Sequence, residues 1–222
     1  MTTTIRLGDP AARVRLGDPA ARVLVFWLPL GAGGHVVRLN GRAYEAVMAW
    51  REHRASADLF HCALEVRLGD ERYVIEMAPV WSLRDPDRGA VVHGPVGLRP
   101  LGRFAMFRYE VRRWRGGRIP DLAEAVGGPV GVRTDAGRVR RLLELVPEVP
   151  ALTWGRDELH IRDMWNSNSL IAWLLARSGH DITTLLPPSG GRAPGWRAGL
   201  TLAARQEAPL VRHPSGCRRA VE

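Results

Sequence analysis

Residues 59–78 read LFHCALEVRLGDERYVIEMA, and this stretch decides the fold. Two runs of alternating character, Leu59 to Arg67 and Arg72 to Ala78, flank Gly69-Asp70. Such runs around a Gly-Asp pair predict a tight β-hairpin. With a two-residue loop, Leu68 pairs with Glu71. Counting back sets Ala63 opposite Glu76 and His61 opposite Ala78. Side chains alternate along a strand. Phe60, Cys62, Leu64 and Val66 therefore share one face, and His61, Ala63 and Glu65 share the other. Cys62 reads as a small core residue whose thiol burial makes inert. Glu76 falls diagonal to His61, roughly 7–8 Å away between backbone positions, which long polar side chains can bridge. A carboxylate there can hold one imidazole tautomer and favour the protonated ring.

Outward from the hairpin, Arg22 to Leu30 contains the apolar run VLVFWLPL and reads as a buried first strand ended by Gly31-Ala32-Gly33-Gly34. That glycine run lacks the spacing of a phosphate-binding loop and reads as a connection. Residues 42–54 have helical spacing, and 104–114 (FAMFRYEVRRW) read as another strand. Pro120-Asp121 opens a short helix. Thr134 or Asp135 caps a helix from Ala136 to Val146, stopped by Pro147. A further helix runs from about Ser167 to Arg177, with Gly179 as its left-handed C-terminal residue. Trp196 to Arg205 forms a last short helix. Strands and helices so mixed predict one α+β domain over 22–206, a mixed or antiparallel sheet packed by helices.

The ends read differently. RLGDPAARV occupies 6–14 and again 15–23. Two copies are too few for a solenoid, which needs at least ~3 units. A slipped duplication or an early start codon accounts for the repeat. Residues 1–21 are expected to be a disordered arm, and 207–222 a disordered basic tail.

The net charge of +9 raises nucleic acid or an anionic membrane as a partner. Every basic residue is Arg, however, and with the Ala, Gly, Val and Pro content this fits a GC-rich genome. The Arg residues are scattered, with local clusters at Arg112, Arg113, Arg115 and Arg118 and at Arg138, Arg140 and Arg141. That argues against a nucleic-acid interface. Cys62 and Cys217 provide no disulfide framework, which points to a reducing, cytoplasmic setting. No apolar run approaches the ~20 residues of a spanning helix. Asp9, Asp18, Trp27 and Pro29 argue against a signal peptide. No spacing of His, Cys, Asp and Glu points to a metal or other cofactor; Asp157, Glu158, His160 and Asp163 read as a polar turn.

One constellation carries chemistry. Asn166 is a good N-cap, followed by Ser167, Asn168 and Ser169 in the first helical turn. Ser167 precedes Leu170 and Ile171 by three and four positions and so shares their inward face, whereas Ser169 points away, toward the side of Trp173. Free N–H groups and the positive dipole end at a helix start stabilise a developing oxyanion. A serine there needs a base, and His61 is the candidate. Two plainer readings stand beside this one. Asn and Ser cluster at helix starts because they cap them, and a strand histidine is often structural.

The order of these pieces resembles the circularly permuted papain-like fold of the PPPDE-type peptidases and the lecithin:retinol acyltransferase-like proteins. VLVFWLPL resembles their first strand, HCALEVRLGDERYVIE (61–76) their histidine hairpin, and Asn166-Ser167-Asn168 their Asn-Cys-Asn element. Ser167 stands where that family has cysteine, and a serine hydroxyl needs stronger base assistance than a thiol. The stretches GRDELHIRDMWNSNSLIAWLL (155–175) and GGRAPGWRAGL (190–200) also resemble a group of actinobacterial proteins with no established activity. The resemblance implies a hydrolase or acyltransferase acting on an amide, ester or thioester of a small molecule, peptide or protein. Ser167 would attack, His61 act as base, Glu76 orient His61, and Asn166 or Asn168 help bind the oxyanion. A non-catalytic binding module of the same fold is the alternative, and an Arg-rich nucleic-acid binder the third.

Overall fold

The computed structural model describes residues 20–31, 35–82, 85–188 and 190–208. The first repeat copy, most of the expected N-terminal arm, nearly all of the expected basic tail and Cys217 lie outside them. Six strands form one antiparallel sheet: β1 (Ala21–Pro29), β2 (Phe60–Leu68), β3 (Glu71–Pro79), β4 (Ala90–Pro95), β5 (Arg108–Arg115) and β6 (Val130–Val132). Their spatial order is β4-β5-β3-β2-β1-β6. The helices are α1 (His35–Arg51), α2 (Ala136–Leu145), α3 (Ser167–Arg177) and α4 (Trp196–Glu207). The fold is α+β.

The hairpin has the expected register, with Leu68 opposite Glu71. Gly69 turns it at a φ of 58°, a conformation that glycine adopts without a Cβ penalty. Alternation then divides the sheet into two faces. Val23, Val25 and Trp27 of β1, Cys62, Leu64 and Val66 of β2, and Ile75 and Met77 of β3 join the main core with α2 and α3. Leu24, Phe26, Leu28, Ala63 and Val74 point to the opposite face, where Ile119 covers them.

Helix α3 is buried on every side rather than along one stripe. Leu170, Ile171, Leu174 and Leu175 are sealed as expected, but Ser169, Ala172 and Trp173 are buried as well. Ser169, expected to point away, is wholly buried because α4 covers that flank. The crossing depends on Gly199. A Cβ there would stand 2.2 Å from the Ser169 carbonyl oxygen and 2.9 Å from Ala172 Cβ. Gly199→Ala must push two helices apart, and is expected to lower the unfolding free energy by about 1–3 kcal/mol in urea titration.

Candidate functional site

The sheet is split at one end. The β2–β3 ladder runs from Leu68↔Glu71 to Leu64↔Ile75 and stops there. β1 stays paired with β2 as far as Pro29↔Phe60, and β5 with β3 as far as Pro79↔Tyr109. His61 to Ala63 and Glu76 to Pro79 therefore flank a fork between two halves of the sheet. A cavity of about 330 Å³ fills it. Its lining draws His61, Ala63, Glu76 and Arg112 from one face, and Cys62, Met77, Trp154 and Ser167 from the other.

Ser167 reaches the fork because α3 starts there. Asn166 caps the helix: its side-chain oxygen accepts from the N–H groups of Asn168 (2.9 Å) and Ser169 (3.2 Å). Ser169 Oγ returns the bond by accepting from Asn166 N–H at 3.0 Å, completing a capping box. Asn168 Nδ2 donates to Phe60 O (2.9 Å) and Pro194 O (2.8 Å). The first of these pins the helix start to the strand residue beside His61. Asn166 Nδ2 also donates to Pro194 O, at 2.8 Å. Both Nδ2 hydrogens of Asn168 are thus taken by backbone carbonyls, which removes its side chain from the oxyanion role expected for Asn166 or Asn168, and one of the two Nδ2 hydrogens of Asn166 is taken as well. Buried amides must satisfy their donors, and Pro194 and Phe60 offer acceptors close by. The backbone N–H of Ser167, at the first helical position, has no hydrogen-bond partner among the described residues.

Helix α3 packs on the Cys62 face, so Ser167 and His61 approach the cavity from opposite faces of the sheet. Only the fork lets them share it. Among the described residues no hydrogen bond joins the two, and neither the Ser167 hydroxyl nor the His61 ring has another hydrogen-bond partner. Burial pushes the His61 ring down to about 4, and the Asp121 carboxylate pulls it part of the way back. His61 is therefore neutral near pH 7 and able to accept a proton.

Glu76 does not orient His61. Register places it directly opposite Arg112 of β5, and its Oε1 accepts from Arg112 Nη1 at 2.6 Å. Burial nonetheless raises the Glu76 carboxyl above its ordinary value, with Arg112 opposing. Arg112 is fully buried and also donates to Glu110 Oε1 (2.7 Å) and Ser82 Oγ (2.9 Å). A buried carboxylate takes the nearest cation, and the hairpin alone says nothing of which strand lies beyond β3. The carboxylate whose charge acts on His61 is Asp121, just before the turn Leu122–Glu124. Sequence reasoning had only a helix start at Pro120-Asp121 and no reason to bring it to the hairpin.

Cys62 is 1% exposed, and burial pushes its thiol well above the ordinary value, as expected of a core cysteine. Among the described residues no group of three or more His, Cys, Asp or Glu side chains could hold a metal. Asp163 instead caps α4, accepting from Gly195 N–H (2.7 Å) and Ala198 N–H (3.2 Å). No helix of the described residues is long and apolar enough to cross a membrane. The arginine cluster in β5 is dispersed by alternation: Arg112 is buried, Arg113 binds the Leu143 carbonyl, and Arg115 pairs with Glu71. Two larger cavities, of about 410 and 730 Å³, contain neither His61 nor Ser167. The smaller of them is walled by Arg54, Arg192, Glu45 and Glu52, already joined in ion pairs.

No protein-family model, curated protein or solved structure matches the chain.

Proposed function

We propose that the chain is a hydrolase or acyl-transferring enzyme acting on an amide, ester or thioester, with a permuted papain-like arrangement of its site. The observation that carries this reading is the meeting of Ser167, His61 and Asp121 around one cavity, with the hydroxyl and the imidazole both uncommitted. Ser167 Oγ attacks the acyl carbonyl while neutral His61 takes its proton. The Ser167 N–H and the α3 dipole receive the oxyanion. The imidazolium then protonates the leaving group, and Asp121 stabilises its charge. Water, or an acceptor in acyl transfer, releases the acyl group with His61 again as base.

Hydrolysis of nitrophenyl esters tests this. Ser167→Ala removes turnover, and His61→Gln lowers kcat/KM about 10²–10⁴-fold, the usual worth of a general base. His61 must be neutral to act, so kcat/KM rises with pH through about 4 and is flat toward neutrality. Activity unchanged in Ser167→Ala sinks the proposal.

A second reading, a binding module with no catalysis, is favoured by one observation: no hydrogen bond links Ser167 to His61, and Glu76 is held by Arg112. It predicts ligands that stabilise the protein without any acyl-enzyme.

A further inference from the structure

The sheet end that carries the fork also carries an exposed apolar surface. Three short 3₁₀ turns build it: Val80–Ser82 after β3, and Arg99–Arg103 and Ala105–Phe107 between β4 and β5. The second and third pack against each other, and the first against the third. Together they present Trp81 (62% exposed), Leu98 (49%), Phe104 (47%) and Met106 (67%). Isolated exposed apolar side chains are ordinary, but four large ones on adjoining turns form a patch that marks an interaction site.

The charge around the patch selects its occupant. Residues 98–108 read LRPLGRFAMFR and contain no acid. The Arg99 side chain is 73% exposed and pairs with Glu158 Oε2 at 3.9 Å, while Arg103 and Arg156 have no carboxylate partner among the described residues. The Arg103 guanidinium lies over the Phe104 ring, 4.8 Å from its centre. Exposed Arg156 joins them by donating to the Gly97 carbonyl. Aromatic and apolar tips ringed by arginines match a lipid surface with anionic headgroups, where apolar groups enter the acyl boundary and cations meet phosphate. A protein partner without acidic groups would fit the apolar tips but leave the net-positive rim unmatched.

We propose that the turns around Trp81, Phe104 and Met106 dock the protein on an anionic lipid surface. Trp81 also lines the cavity in the fork, so docking sets that cavity against the surface. The proposal stands whether or not Ser167 is catalytic.

Co-sedimentation of the full chain with phosphatidylcholine vesicles, plain or with about one third phosphatidylserine, tests it. The serine-lipid vesicles retain the protein and the plain ones do so far less, with retention falling as salt rises. Phe104→Glu/Met106→Glu lowers the anionic-vesicle affinity about tenfold or more, and Arg99→Ala/Arg103→Ala lowers it severalfold. All four positions are exposed, so thermal unfolding stays unchanged. No retention, or retention indifferent to Phe104→Glu/Met106→Glu, overturns the proposal, since arginines elsewhere would then be doing the binding. A protein that ignores vesicles but self-associates until Phe104→Glu/Met106→Glu disperses it also overturns it, and assigns the patch to a protein contact.

Discussion

Glu110→Ala lowers the unfolding free energy by about 3–5 kcal/mol, because it strands buried guanidinium charge. Glu110 and Arg112 are both wholly buried, and Arg88 reaches the same carboxylate at 2.5 Å and 2.8 Å. Removing the carboxylate leaves Arg112 with only Glu76 and Ser82. The urea midpoint reads the loss, with the slope unchanged if the native state keeps its compactness. Glu144→Ala is the control: its 3.9 Å pair with Arg141 is exposed, and its loss changes stability by less than about 0.5 kcal/mol. Burial alone would raise the Glu110 carboxyl, but hydrogen bonds from Arg88 and Arg112 outweigh it and hold the group below its ordinary range. A carboxyl depressed on folding stabilises the protein above its unfolded-state value. That contribution disappears as pH falls through the folded-state value.

Acid weakens the protein through histidine as well. His180 is 6% exposed and sits between Ser178 Oγ and Thr134 Oγ1, each 2.8 Å from a ring nitrogen. The Ser178 hydroxyl donates to the Leu174 carbonyl at 2.6 Å, so it accepts from His180 Nδ1–H. Nε2 is then left to accept from Thr134, whose other acceptor, the Asp135 carbonyl, is farther away at 3.3 Å, and burial keeps the ring neutral. Burial, helped by the charge of Arg138, pushes His180 down to about 4. An unfolded histidine takes its proton near 6.5, so lowering the pH from there toward 4 favours the unfolded state. At ~1.4 kcal/mol per unit, His180 alone removes about 3 kcal/mol across that window. His61 acts in the same direction. Urea midpoints between about pH 7 and pH 4 fall accordingly, and His180→Gln flattens the slope. A slope unchanged by His180→Gln would place the acid sensitivity elsewhere.

What the sequence disclosed follows from how local each signal is. Gly69-Asp70 set the hairpin register because the turn itself fixes which residues face each other. Asn166 and Gly179 marked the ends of α3 because caps are local chemistry, and Gly179 has the expected positive φ of 74°. β4 escaped because AVVHGP does not alternate, and its Gly94 is there so that the Tyr109 ring can lie against it. β6, only three residues long, carried too little pattern to read. α1 begins at His35 rather than Arg42. Gly41 looks like a helix breaker, yet it serves close packing: a Cβ there would meet Leu30 Cδ2 at 2.7 Å. The strand expected to begin at Phe104 begins at Arg108, after a 3₁₀ turn that leaves Phe104 and Met106 exposed.

The candidate site was legible in its parts and not in its wiring. His61 and Ser167 stood out, and they line one cavity. Their partners depend on contacts between distant segments. Arg112 claims Glu76 through the β3–β5 register, and the charge of Asp121 acts on His61 from the loop that covers their shared face of the sheet. The fork could not be read at all, since each strand pattern continues unbroken past the point where the ladder stops.

Intact-mass analysis after treatment with a fluorophosphonate, followed by peptide mapping, tests the catalytic reading most directly. A serine activated by a neutral base beside a helix N-terminus gives one adduct, on Ser167, absent from folded Ser167→Ala and slowed in His61→Gln. A folded protein that stays unlabelled, or labels equally at other serines, contradicts it and leaves the fork as a binding cavity.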